Sequence, residues 1–309
     1  MRASEQGSFK STVHVAMSTT AAARVGGAGP VGSIVTVTPH LDLAFMHHPV
    51  VGTHLSRRLA RYPFVLTGAF RIDEQPADMV TTILQSASGA ILGADRLLQK
   101  ILVGSGASGH VTSQAALAVH RMDEEIMAED HITVSVEAGG FLEYLPTPRV
   151  LFPGSALNQS MAIDIAEDGT AVIGDSFVVY DPEHRGASFR HYKGAVVIRR
   201  PSGHVLAVDH FDLRRLPSGY GKSFRVVAYG TLLILTKDKP EGFAALGRSI
   251  ETAAQGSGRM AAASLLPRHA GLAIRIAAVD GQGLREAMTA AWAMTRLHFT
   301  GKSPNRRRI

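Results

Sequence analysis

Ile132-Thr133-Val134-Ser135-Val136-Glu137-Ala138-Gly139-Gly140-Phe141 is the stretch whose pattern decides the fold. Ile132, Val134 and Val136 alternate with Thr133, Ser135 and Glu137. A period of two puts one set of side chains on each face of a half-buried strand. A glycine turn and a further apolar residue follow. The same order stands on both sides: Ile101 and Val103 lead to Gly106 and then Val111, and Ile163 and Ile165 lead to Gly169 and then Val172. The turn glycines lie about 30 residues apart, a spacing typical of stacked units that bury a shared face. A doubly wound α/β sheet would instead alternate strands with helices. The expected fold is therefore mainly β, a layered or helical β-scaffold with a few helices, including one at the C-terminus.

Working outward, Met161, Ile163 and Ile165 alternate with Ala162, Asp164 and Ala166, and Asp168-Gly169 offers a tight hairpin-type turn into Ala171-Val172-Ile173. Residues 195–198 and 204–208 flank Pro201-Ser202-Gly203, which predicts a hairpin. Helix is expected over 242–254 and, with a clearer pattern, over 284–297. Leu284, Met288, Ala291, Trp292 and Thr295 share one face of the latter, with Asp280 as its nearby cap. The only tryptophan is then chiefly a packing residue. Residues 1–38 are rich in Ser, Thr, Ala and Gly and read as a flexible extension; 39–309 read as one β-rich domain.

Composition narrows the function classes. The chain has 309 residues, is 45% hydrophobic, and contains no cysteine. Disulfides and thiolate metal sites are excluded, so any metal would bind through His, Asp, Glu, Met or backbone. The formal net charge is +6, but the basic residues are scattered apart from Arg306-Arg307-Arg308, which reads as a solvated tail. No helix-turn-helix, zinc-finger or RNP pattern argues for nucleic acid. There is no apolar run long enough for a membrane helix and no continuous apolar core of a secretory signal. A cytoplasmic, soluble protein is expected.

Candidate chemistry is sparse. Gly27-Ala28-Gly29-Pro30-Val31-Gly32 is formally G-x-G-x-x-G, but a β-prone run and Pro39 follow it where a dinucleotide loop requires a helix. His40, His47, His48 and His54 form the densest imidazole group. Adjacent strand residues point to opposite faces, so His47 and His48 cannot both turn to one ion; the same holds for Asp209 and His210. No nucleophile with a readable base appears, and the chain reads as non-enzymatic.

The remaining unusual stretch is Leu142-Glu143-Tyr144-Leu145-Pro146-Thr147-Pro148-Arg149-Val150-Leu151-Phe152-Pro153-Gly154-Ser155-Ala156-Leu157-Asn158-Gln159. Three prolines and a glycine mark corners or strand edges. Spacing alone places Glu143 on the wet face of an edge strand. An acid buried in such a run would need a partner, water or a cation.

This stretch resembles the LE-W/Y-LP…F-x-G-A/S…Q signature of the UreD (UreH) family of urease accessory proteins. The resemblance spans about residues 40–303. Residues 40–45 are similar to the family's first strand and 57–66 to its basic run. Ser88-Gly89-Ala90-Ile91-Leu92-Gly93-Ala94-Asp95 resembles its glycine loop, and Thr112-Ser113-Gln114-Ala115-Ala116-Leu117-Ala118-Val119-His120-Arg121 its T-T/S-Q strand. Arg185-Gly186, the strand before Asp209 and the Ala-Ala-Trp helix keep family order. The resemblance implies a non-enzymatic scaffold in urease maturation, acting with UreF, the GTPase UreG and apo-urease. It holds no tightly bound cofactor and passes nickel in transit through an internal tunnel. It maps the nickel path to Asp95, Glu143 and His120, and the tunnel's polar positions to Thr112 and Ser113. Gly89, Gly93, Gln114, Pro146, Phe152, Gly154, Gln159, Arg185, Gly186 and Asp209 become motif positions that shape the backbone. His120 replaces the family's usual Tyr, Ala118 its Lys, and Ala187 its Glu after Arg-Gly. These departures leave open a divergent β-scaffold that serves another metalloenzyme.

Overall fold

The 30-residue repeat closes into coils, each passing once through two facing sheets. The structure, a computed structural model, describes residues 38–214, 216, 225–237 and 240–305. The expected flexible extension over 1–38, its G-x-G-x-x-G and the Arg306-Arg307-Arg308 tail lie outside them, apart from Thr38. In chain order the strands are β1 (Leu41–His48), β2 (Gly52–Ala60), β3 (Phe64–Phe70), β4 (Val80–Ser86), β5 (Ala90–Ile91), β6 (Arg96–Val103), β7 (Ser108–Ser113), β8 (Leu117–Val119) and β9 (Ala128–Val136). They continue with β10 (Phe141–Leu145), β11 (Arg149–Leu151), β12 (Ala156–Ile165), β13 (Thr170–Val179), β14 (His191–Arg199), β15 (Val205–Leu213), β16 (Ala228–Leu235), β17 (Arg259–Leu265) and β18 (Gly271–Ala278). Among the described residues there are two α-helices, α1 (Pro240–Ala254) and α2 (Gly281–Thr300). The mainly β, layered expectation with a C-terminal helix holds.

One sheet has the order β15-β14-β12-β9-β6-β1-β2 and the other β17-β18-β16-β13-β10-β7-β4-β3. The repeat units are β6–β7, β9–β10 and β12–β13. Within each sheet they stack in parallel, with Ile101 beside Val134 and Val134 beside Ile163 in the first, and Val111 beside Tyr144 and Tyr144 beside Ile173 in the second. The short strands β5, β8 and β11 form a third parallel ladder that joins β13. At the ends of the parallel stack the strand direction reverses: β2 and β15 pair antiparallel in the first sheet, and β3 and β16 in the second.

The turns stack as the strands do. Gly106 and Gly139 adopt φ of 68° and 63°, a left-handed backbone that glycine enters without steric cost. Gly106 N–H donates to Ala138 O at 3.0 Å, linking one coil's corner to the next. Asp168-Gly169 is the corresponding corner, and here the sequence expectation needs correction. It does not close a hairpin, because β12 and β13 lie in different sheets. A tight turn signal marks a sharp reversal of direction without saying which strand receives it. The Pro201-Ser202-Gly203 turn does close the β14–β15 hairpin.

The main core lies between the sheets and includes Leu43, Phe45, Ile101, Val134, Leu142, Ile163 and Ile173. A second core lies between the outer face of the second sheet and the helices, where Val172, Leu232 and Ile274 meet Phe243, Ile250, Leu284 and Ala291. Asp280 caps α2 as expected, its side chain accepting from Gly283 N–H. No helix among the described residues is long and apolar enough to cross a membrane.

Candidate functional site

Among the described residues two groups of charges are buried, one on each side of the second sheet. The inner group lies between the sheets. Asp130 on β9 has 1% side-chain exposure, and Arg149 on β11 has 7%. Arg149 Nη2 donates to Asp130 Oδ2 and Nη1 to Asp175 Oδ1 on β13, both at 2.8 Å. Gln99 on β6 donates through Nε2 to Asp130 Oδ1 at 2.7 Å, while its Oε1 is buried without a partner, as is Arg149 Nε. Nearby, Tyr192 O–H donates to Gln159 Oε1 at 2.8 Å.

Burial works against ionisation throughout this group. It would pull the Arg149 guanidinium down, but the Asp175 and Asp130 carboxylates beside it outweigh that and hold the pKa above the usual arginine range. Burial, with the charge of Asp130 beside it, pushes the Tyr144 phenol well up. Tyr192 moves the same way, through burial and then Asp175.

Cavities flank the ion triad. One, of about 120 Å³, is walled by Gln99, Asp130, Tyr144 and Arg149 and extends to the exposed Gln114 and Ala115. That space is large enough for several waters. The other, of about 20 Å³, is walled by Gln159 and Asp175 and extends to the Asp209–Arg275 ion pair. The first sheet and β10–β11 thus surround a polar band inside an otherwise apolar core.

The outer group lies beneath α2. Glu143 is completely buried, which corrects the wet-face, edge-strand expectation: β10 is central, flanked by β7 and β13. Arg296, also at 0% exposure, grips the carboxylate at both oxygens, Nε to Oε1 at 2.6 Å and Nη2 to Oε2 at 2.5 Å. Its Nη1 reaches Gln75 O at 3.0 Å and Asp73 Oδ2 at 3.2 Å. His110 Nδ1 lies 2.6 Å from Glu143 Oε2. Burial alone would raise the Glu143 pKa, but the hydrogen bonds from Arg296 and His110 bring it down to about 2. The carboxylate is therefore ionised and accepts only, so His110 Nδ1 carries the proton. Trp292 covers the group, its ring 5.3 Å from that of His110 and 5.5 Å from the Arg296 guanidinium carbon.

The residues nominated from sequence divide between several places. Ser113, Gln114, Gly89 and Pro146 line the larger cavity, and Gln159 and Asp209 the smaller. Thr112 O–H donates to Leu145 O, and Ser113 bonds Thr147, tying β7 to the Pro146 corner. Glu143 belongs to the group under α2. Asp95 sits in the Gly93 loop, its carboxylate accepting from Leu92 N–H at 2.9 Å. His120 is exposed and stacks on Phe152 at 4.9 Å. Gly154 and Gly186 take positive φ in loops, and Arg185 pairs with Glu183 at 3.0 Å. Asp95, Glu143 and His120 do not converge, and no cluster of three or more His, Asp or Glu side chains suited to a metal occurs among the described residues. His40 accepts from Leu98 N–H, His47 meets Asp78 and His48 accepts from Val50 N–H, so these three are separate as well.

Sequence reading missed Gln99, Asp130, Arg149, Asp175, His110 and Arg296 as site residues. For the inner group a signal existed in the alternation itself. Extending each inward-facing set back by two residues gives Gln99 before Ile101, Asp130 before Ile132, and Gln159 before Met161. Each repeat begins with a polar residue in phase with its core.

Fold and interior together define a helix-flanked β-solenoid scaffold with a charged core. A family model described as UreD urease accessory protein matches residues 37–309. The chain is 38% identical over 258 residues to Urease accessory protein UreD 2 of Bradyrhizobium sp. strain BTAi1, covering 84% of this chain and 89% of that one. It is 36% identical over 258 residues to UreD 2 of Bradyrhizobium sp. strain ORS 278, with the same coverages. To UreD 1 of Methylorubrum extorquens strain PA1 it is 34% identical over 259 residues, covering 83% of this chain and 87% of that one. The chain belongs to the UreD family of urease accessory proteins.

Proposed function

We propose that this protein is a non-enzymatic scaffold in urease maturation that hands nickel toward apo-urease in a complex with UreF and the GTPase UreG. The observation that carries the reading is family membership across the whole β-solenoid. The polar interior supports it. Ni²⁺ in transit is a cargo that must bind and leave, and weak oxygen ligands at several places suit that better than a closed cage. Carboxylates, amide oxygens and hydroxyls of Asp130, Asp175, Gln99, Gln159 and Ser113 line or border the two cavities.

Co-expression with UreF and UreG, followed by size exclusion with mass readout, tests the assembly; a co-eluting ternary complex is expected. Deleting the gene should leave urease without nickel. Full urease activity in the deletion strain would refute the proposal.

A further inference from the structure

We propose that the outer face of the first sheet is the contact through which two copies of this chain pack back to back about a two-fold axis. The inference lies outside the nickel-handling reading and does not depend on it.

Four observations carry it. First, β1, β6, β9, β12 and β14 form an unbroken parallel run, and parallel sheets are as a rule covered on both faces. The helices pack on the second sheet; among the described residues no helix packs on the outer face of the first. Second, the registers set Thr133, Ala162, Val197 and Val208 side by side across four strands of that face, with Ser160 and Ala195 in the next row. These side chains are small and uncharged, Thr133 is exposed, and Val208 is 59% exposed. Third, charges on this face stand toward its rim and are paired within it. Arg57 meets Asp42 at 2.8 Å and Arg199 meets Asp164 at 2.5 Å, while Arg96–Glu129 and Lys193–Asp212 each lie at 3.7 Å. Lys100 neighbours Asp42 in the register. An uncharged centre inside a polar rim is the anatomy of a protein interface. Because the rim charges have their opposites beside them, the face has no dominant sign to select an acidic or a basic partner. A copy turned about a two-fold axis presents the same pairs in reverse order, so the face complements itself. Fourth, the size fits. Seven strands spaced about 4.8 Å apart and about 27 Å long cover about 900 Å², against about 800 Å² per partner in a stable interface.

Sedimentation velocity of the purified full-length chain over a concentration series reads the mass, with thermal melts as the control for folding. Wild type should reach twice 32.9 kDa. A162K, at the centre of the face, should weaken self-association about tenfold or more, with its Tm near that of wild type. V208K, at an already exposed position on the edge strand β15, should act in the same direction without loading the centre. M260K adds the same charge on β17, the edge strand of the second sheet, and should leave the dimer intact. An equimolar mixture of A162K and A162D should regain the dimer, because a two-fold contact through the centre sets position 162 against itself. A monomeric wild type overturns the proposal. So does a dimer that A162K and V208K leave unchanged, or that M260K dissociates as readily, since the contact then lies elsewhere. Folded A162K and A162D that stay monomeric when mixed overturn the two-fold arrangement. A monomeric chain whose A162K variant loses binding to UreF assigns the face to that protein and overturns the proposal as well.

Discussion

Replacing Arg296 by Met would strand the Glu143 carboxylate at 0% exposure with His110 as its one remaining close polar contact from the group described above. The substitution nearly conserves volume, so the cost is electrostatic. It removes both bonds to Glu143, at 2.6 and 2.5 Å, together with the contacts to Gln75 O and Asp73. Breaking one side of a buried ion pair costs about 3–5 kcal/mol, because the other charge is left uncompensated. For a domain of this size that corresponds to a Tm lowered by about 6–10 °C, at about 2 °C per kcal/mol. Urea or thermal unfolding of R296M, E143Q and the double variant measures it. The double variant should be less destabilised than the two single losses added together, because the groups are in direct contact. An R296M loss below about 1 kcal/mol, the range of an exposed pair, would refute the reasoning and would mean that water reaches the carboxylate.

The same carboxylate predicts an acid transition. Its pKa is lowered from 4.5 to about 2 in the folded chain, so its contribution is complete above pH 4.5 and is lost as pH falls toward 2. The linked stability is about 3 kcal/mol, and E143Q should flatten the stability profile in that window; an unchanged profile contradicts the assignment. Gly271 has φ of 140°, and a Cβ there would stand 1.9 Å from Ile234 O. G271A should therefore cost more than about 3 kcal/mol or yield insoluble protein, and a variant with native Tm would show the β16–β18 pairing to be looser than described. His120 is exposed and contributes one stack on Phe152; H120A should lower stability by less than about 1 kcal/mol, and a larger loss on unfolding would mean that it carries a structural bond beyond that stack.

The sheets were readable because their signal is local. Alternation over five residues and a recurring glycine corner suffice to show stacked coils, and α2 announced itself through Leu284, Ala291, Thr295 and the Asp280 cap. What failed was any inference that needed to know what packs on a strand's far side. Glu143 looked like a wet-face acid because nothing near it in sequence neutralises it; its partner Arg296 is 153 residues away. Arg296 in turn lies just beside the apolar face identified on α2, where an arginine normally marks solvent. The triad is split in the same way, with Asp130, Arg149 and Asp175 on three strands and no short motif containing two of them. The family's own motif ran directly through Arg149, and there the neighbouring Pro146 and Pro148 drew attention to the backbone corner rather than to the charge that follows it.

The reversals at both ends of the stack set the size of the molecule. A run of parallel coils has no intrinsic length: each exposed end offers the same ladder for another unit, from the same chain or a different one. Here β2 and β15 in one sheet, and β3 and the antiparallel run β16-β18-β17 in the other, turn that ladder round, so an incoming coil finds donors and acceptors out of step. Chain termination of the solenoid is thus written outside the repeat. An extra 30-residue coil inserted between β10 and β12 would meet a matching template on both sides, whereas deletion of the β14–β15 hairpin would leave an open template and convert a bounded particle into one able to polymerise.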